Sequence, residues 1–305
     1  MELEKLRKLH PHHWEKANAI RVLTLDAVAA ANSGHSGMPV GMADVATILF
    51  EKHLKFSTSQ PNWPDRDRFI LSAGHGSMLL YSIAYLCGYA DFDIDQLKNF
   101  RQLGKKTAGH PENFLSDVIE TTTGPLGQGI ANSVGFAIAE ESLRARFGRN
   151  IIDHHTFVIA GDGCLMEGVS QEAISLAGHL RLHKLIVFWD NNNITIDGTV
   201  DLTDSTDQKT RFEASGWEVI EIDGHNPEEI DSAISAAKKS EKPTMIACKT
   251  HIAIGTAAQD TSKGHGALTD PELIKDAREV YRWSHKPFDI PKSIKEKWEQ
   301  AGREG

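Results

Sequence analysis

The chain has 305 residues, 40% of them hydrophobic and 25% charged, and a formal net charge of −9. That is the composition of a soluble globular protein, long enough for one large α/β domain with added helices or for two lobes. An acidic surface repels nucleic acid and anionic lipid, which argues against both as partners, and no apolar run approaches the roughly 18 residues of a membrane span. The three cysteines, Cys87, Cys164 and Cys248, form no CxxC pair, and their odd number argues against a disulfide framework. With an N-terminus, MELEKLRKLH, that is charged throughout and has no apolar signal segment, they predict a reducing, cytoplasmic setting.

In chain order, residues 11–32 carry Ile20, Leu23, Ala27 and Ala30 at spacings of three and four, which predicts an amphipathic helix ending at SGHSGMP. A second helix is expected over 41–54, a strand at RFILSA (68–73) and a helix from GSMLLYSIAYLCG (76–88). After TGPLGQG comes a long helix, IANSVGFAIAEESLRARFG. Beyond it, four β-rich apolar runs alternate with helices: HTFVIA (155–160), KLIVFWDN (184–191), WEVIEI (217–222) and PTMIACKT (243–250). The helices between them are expected near 168–181, 207–215 and 227–238. Such alternation predicts a doubly wound α/β fold, a mostly parallel sheet with helices on both faces. In these sheets ligands sit at the carboxyl ends of the strands, where this sequence puts GDG, WDNNN and KTHIAIG. Residues 1–270 are expected to form this ligand-binding domain, and 271–305 a polar helical tail.

Neither a P-loop nor a GxGxxG fingerprint is present. Gly161-Asp162-Gly163 instead joins a strand to a helix, whose free N–H groups suit an anion. Asp162 would repel a diphosphate unless a divalent cation lay between them. About thirty residues on, Asn191, Asn192 and Asn193 end the next strand and precede Ile194. One carboxylate, one amide oxygen, one backbone carbonyl, two diphosphate oxygens and a water would complete an octahedron around Mg²⁺. Alone, each motif is a common turn. Paired at this spacing on consecutive strand ends, they point to a metal-bound diphosphate.

The pair resembles the thiamine-diphosphate motif, and the surrounding strings resemble the transketolase family. They are SGHSGMPVGMAD (33–44), RFILSAGHGS (68–77), FRQLGKKTAGHPE (100–112), ETTTGPLGQG (120–129), GDGCLMEG (161–168), WDNNNITIDG (189–198), RFEASGWEVIEIDGH (211–225) and KGHGAL (263–268). The resemblance covers nearly the whole chain and implies the N-terminal, thiamine-diphosphate-binding fold. It implies transfer of a two-carbon ketol unit from a ketose phosphate to an aldose phosphate. GHPE, TGPLGQG and KGHGAL favour this over siblings on the same cofactor: 1-deoxyxylulose-5-phosphate synthase, phosphoketolase and dihydroxyacetone synthase.

Residue by residue, the resemblance makes Asp162, Asn192 and the Ile194 carbonyl the metal ligands, for Mg²⁺ with Ca²⁺ or Mn²⁺ as substitutes. Gly163 lies against the diphosphate, and Gly124, Pro125 and Leu126 pass beside the cofactor. His75 and His265 contact the diphosphate side. His35, His110 and His265 act on the sugar, His35 and His265 also binding it, because histidine can give and take protons near neutral pH. Glu167 resembles a residue at a subunit contact, which implies a homo-oligomer.

Two departures stand out. The family usually has proline after the first histidine; here it is Ser36, which is expected to loosen that loop. The loop HIAIGTAAQDTSKG (251–264) replaces a glycine-rich family string. In the family, the carboxylic acid that activates the cofactor and the arginines that grip the sugar phosphate belong to a second domain. The chain reaches AGREG about where that domain would begin, so a split subunit or a piece of a longer protein is expected, inactive or nearly so alone. A non-catalytic cofactor-binding module is the other reading of the chain in isolation.

Overall fold

The computed structural model describes residues 1–304. Five strands form one sheet: β1 (Arg68–Leu71), β2 (Thr156–Gly161), β3 (Leu185–Asn191), β4 (Glu218–Asp223) and β5 (Thr244–Lys249). Their spatial order is β1-β2-β3-β5-β4, and every pair is parallel. The four longer apolar runs and RFIL all form strands, as expected. β2, β3 and β5 are buried almost throughout, whereas β4 exposes Glu218 and Glu221 because it is an edge.

Helices α1 (Leu3–Leu9), α2 (Pro11–Ala31), α3 (Gly37–Gly41) and α4 (Ala43–Ile48) open the chain. Then come α5 (Met78–Cys87), α6 (Ile94–Lys98), α7 (Gln128–Phe147), α8 (Asp162–Met166) and α9 (Gly168–His179). The remainder are α10 (Gln208–Ala214), α11 (Pro227–Ala237), α12 (Ser262–His265), α13 (Pro271–Val280) and α14 (Lys292–Glu304). Crossovers between parallel strands are right-handed, so their direction along the sheet decides the face. From β1 to β2, β3 and on to β4 the chain moves one way, which sets α7, α9 and α10 on one face; α7 packs on α9, and the Trp217 indole donates to the Ile174 carbonyl of α9 at 2.9 Å. From β4 back to β5 the direction reverses, so α11 lies on the other face, against α4 and the layer of α2 and α5.

One expectation is corrected, two helices were not foreseen, and the expected helical tail is docked. The single helix over 41–54 is α3, α4 and a π-helical turn Leu49–His53, because α3 starts earlier, at Gly37, and breaks at Met42. The short helices α1 and α6, seven and five residues long, span too few turns to show a periodicity. The tail from 271 is polar in composition but docked: Arg278 forks onto the buried Asp26 at 2.6 and 2.8 Å, and Tyr281 and Trp298 are fully buried.

Replacing Trp298 by alanine should therefore destabilise the whole domain by roughly 3–5 kcal/mol, the range for emptying a large aromatic site. Urea unfolding checks this: the variant should melt earlier in one transition, whereas loss of α14 alone, with the main transition unmoved, would show that the tail is not part of the cooperative core.

Candidate functional site

Parallel strands put all their carboxyl ends on one side, and there the chain opens a cavity of about 380 Å³. Loops after β1, β2, β3 and β5 feed it. Its lining includes His35, His75, His110, Gly124, Leu126, Asp162, Gly163, Asn192, Ile194 and His265. Of the residues expected to hold the cofactor, the metal or the sugar, Pro125 is the one that does not line it.

On the strand-end side stands Asp162, 7% exposed. Its Oδ1 accepts from the Trp189 indole at 3.0 Å, while its Oδ2 is buried and, among the described residues, has no partner. Burial pushes its carboxyl up to about 6. One strand over, Asp190 is wholly buried; burial first, and the nearby Asp162 charge after it, push it up to about 7. It is held by the Thr250 hydroxyl and by the Asn192 amide, which donates at 2.9 Å. The Asn192 side-chain oxygen accepts from the Ile194 N–H at 2.9 Å, an Asx turn that holds these two residues together. Turn and ligand are compatible roles, since an amide oxygen has two lone pairs.

These residues fit a divalent cation. Two desolvated carboxylates with an orphan oxygen between strands are unfavourable when ionised, and a cation would relieve both. No group of three or more histidine, cysteine, aspartate or glutamate side chains among the described residues could hold a metal. A cation here would need oxygens beyond Asp162, of the kind that the Asn192 amide, the Ile194 carbonyl and a diphosphate could supply.

Across the cavity three imidazoles form a cluster. The His35 ring centroid is 5.1 Å from His75 and 5.5 Å from His265, and His75 stacks on His265 at 4.9 Å. Burial drives His35 down to about 4 and His75 down to about 3, with His265 close by both. Burial also lowers His265 and His110. All four are neutral near pH 7. The His110 ring lies against Gly124, whose backbone at φ +151° brings it to within van der Waals reach; a Cβ there would meet the ring at 3.1 Å.

Several contributors were not legible beforehand. Arg101 donates to the Ser33 hydroxyl at 2.7 Å and lowers both His35 and His110 through its charge. Trp189, Asp190 and Thr250 position the carboxylate layer. All sit inside or beside the strings quoted above, but an arginine after phenylalanine or a tryptophan in a strand carries no signal of its own. Glu167 is exposed and directly precedes α9. Ser36 does not loosen its loop: it is buried, its N–H donates to the Gly266 carbonyl at 2.9 Å, and its hydroxyl accepts from Leu268 at 3.3 Å.

A family model described as transketolase, thiamine diphosphate binding domain, matches residues 12–305. The transketolase of Rhodobacter capsulatus is 59% identical over 306 residues, which cover 100% of this chain and 46% of that one. The crystal structure of the Campylobacter jejuni transketolase superposes with a TM-score of 0.93 at 46% identity, covering 96% of this chain and 46% of the other. A Pichia stipitis transketolase in complex with sedoheptulose-7-phosphate has a TM-score of 0.93 at 43% identity, covering 95% and 44%. The chain thus spans somewhat under half the length of these relatives.

The carboxylate layer makes a pH-dependent prediction. The Asp162 carboxyl is raised from 3.8 to about 6, so folding favours its protonated form. That contribution is complete below about pH 4 and is lost as pH rises through about 6. In metal-free protein at pH 7.5, Asp162→Asn should be more stable than the parent by roughly 3 kcal/mol, about two units at 1.36 kcal/mol each. Urea midpoints measured from pH 7.5 downward should converge as pH approaches 4; equal midpoints at pH 7.5 would show that the charge is already compensated.

Proposed function

The chain belongs to the transketolase family through its thiamine-diphosphate-binding domain, and on that premise we propose that it supplies the cofactor-holding half of a ketol-transfer site. The observation that carries this is the orphaned Asp162 oxygen at a strand end, facing a cluster of neutral histidines across one cavity. In this reading Asp162, the Asn192 side chain and the Ile194 carbonyl hold Mg²⁺, which Ca²⁺ or Mn²⁺ could replace. Gly163 lies at the diphosphate, Gly124, Pro125 and Leu126 flank the rest of the cofactor, and His75 and His265 face its phosphate end.

Thiamine diphosphate, when bound, supplies the carbon that accepts the two-carbon unit of a ketose phosphate. This chain's own residues handle the protons. A neutral imidazole at pH 7 can take a proton from a sugar hydroxyl and return one to an oxygen, so His35, His110 and His265 are the groups for those transfers. Depressed basicity keeps them in the accepting form, and His35 has its Nδ1 buried without a partner among the described residues. Arg101 adds to this by disfavouring a second positive charge at His35 and His110. A carboxylic acid to activate the cofactor and arginines to grip the sugar phosphate would come from a second transketolase domain or a C-terminal subunit. Glu167, exposed before α9, would lie at a contact between copies of a homo-oligomer.

Titration calorimetry tests the cofactor reading. Thiamine diphosphate with Mg²⁺ should bind the parent; chelator should weaken binding at least tenfold; and Asp162→Ala should abolish it. Equal affinity in chelator would overturn the metal assignment.

Ketol transfer from xylulose 5-phosphate to ribose 5-phosphate should be at or near background with this chain alone and appear when the second domain is added. Loss of a proton-transfer group typically costs 10²–10⁴-fold, so His265→Ala in the reconstituted enzyme should fall by about that factor with the far-ultraviolet spectrum unchanged. Full turnover by this chain alone would mean that the activating acid lies within it.

A further inference from the structure

We propose that Ser36 is a positioning residue that sets the register between the loop carrying His35 and the loop carrying His265. Three hydrogen bonds join the two loops, two of them backbone to backbone, and Ser36 makes two of the three. Its N–H donates to the Gly266 carbonyl, one residue beyond His265, and its hydroxyl accepts from the Leu268 N–H. The third runs from the Ala253 N–H to the Gly37 carbonyl at 3.1 Å. The loops meet so closely that a Cβ on Gly37 would fall 2.3 Å from the Gly264 carbonyl oxygen.

Ser36 precedes α3, where a serine hydroxyl ordinarily caps the helix. Here it makes no cap bond: its backbone is helical rather than extended, and its hydroxyl is turned to Leu268 instead. The serine is fully buried, so breaking either tie would leave a polar backbone group without water to replace its partner. What the ties hold is the separation of the His35 and His265 rings, 5.5 Å between centroids at an interplanar angle of 84°. A proline at this position would keep the chain direction but remove the N–H, and with it the bond to Gly266.

The placement itself is independent of the chemistry; its importance for proton transfer rests on the ketol-transfer reading. Amide hydrogen exchange on the 305-residue chain tests the placement. Ser36→Ala, which removes the hydroxyl acceptor alone, should make the Leu268 amide exchange roughly two- to tenfold faster, the factor an ordinary hydrogen bond is worth. Ser36→Thr, which keeps the hydroxyl, should restore protection. In Ser36→Pro the His35 ring protons, followed by NMR titration, should move toward the ordinary histidine range as the rings separate and water enters. Ser36→Ala gives the same readout in smaller measure should the proline variant not fold. A lower melting temperature with unchanged Leu268 exchange and unchanged His35 titration would reduce Ser36 to a core-packing residue and overturn the proposal. Normal exchange behaviour with failed calorimetry would instead count against the cofactor reading alone.

Discussion

All five strands run the same way, and most of the chemical groups are placed by that. A parallel sheet gathers its carboxyl ends on one side, so loops far apart in sequence become neighbours there. β2 delivers Asp162, β3 delivers Asn192 and Ile194, the segment after β1 delivers His75, and the segment after β5 delivers His265. In-register pairing of β2 with β3, Gly161 opposite Asp190, sets the carboxylate of one strand end beside the amide of the next. An antiparallel arrangement would send half of these groups to the opposite edge.

The cavity is built from groups held away from their preferred ionisation states. Carboxylates on one wall are raised by burial, and imidazoles on the other are lowered by it. Both shifts oppose charge: near pH 7 the imidazoles are neutral, while the Asp162 carboxyl, raised only to about 6, is still mostly ionised and keeps its burial cost. A diphosphate arriving with a divalent cation would reverse the carboxylate shift, because a nearby positive charge favours the ionised form. The same diphosphate would raise any histidine beside it. Cofactor, metal and proton affinities are therefore coupled in this cavity, and the buried walls keep that coupling unscreened by salt.

What the sequence made legible was the periodic part and the motif part. Four apolar runs at strand length, separated by helical patterns, were enough for a parallel sheet, since strands buried on both faces need no alternation. Gly161-Asp162-Gly163 and the asparagine run were legible because their residue types are odd for a strand end unless something binds there. Arg101, Trp189 and Asp190 were not, because their roles exist only once the chain is folded: Trp189 acts through an indole N–H aimed across to a neighbouring strand. The docking of the tail was hidden for the opposite reason. Its composition is polar, and the few residues that bury it are split between the connection after α13 (Tyr281 and Trp283) and α14 (Ile294 and Trp298).

Ser36 shows how a departure from a family pattern can be misread when only chain flexibility is considered. Proline restrains a loop by fixing φ, and its replacement removes that restraint. Serine supplies a donor and an acceptor, and in a buried setting both must be used. Here each is used on the loop that carries His265, so the restraint passes from the backbone dihedral to bonds between loops. Below this junction the same logic recurs. The buried Asp44 accepts from Arg21 and pairs with His13 and His225, while the His225 Nε2 accepts the His251 N–H. That acceptance fixes the tautomer, leaving Nδ1–H for Asp44. The start of the 251–264 loop is therefore tied to an ionised carboxylate and to Gly37, and the residues just beyond its end to Ser36. A loop that departs from the family string is thus held by satisfying polar groups that burial would otherwise penalise.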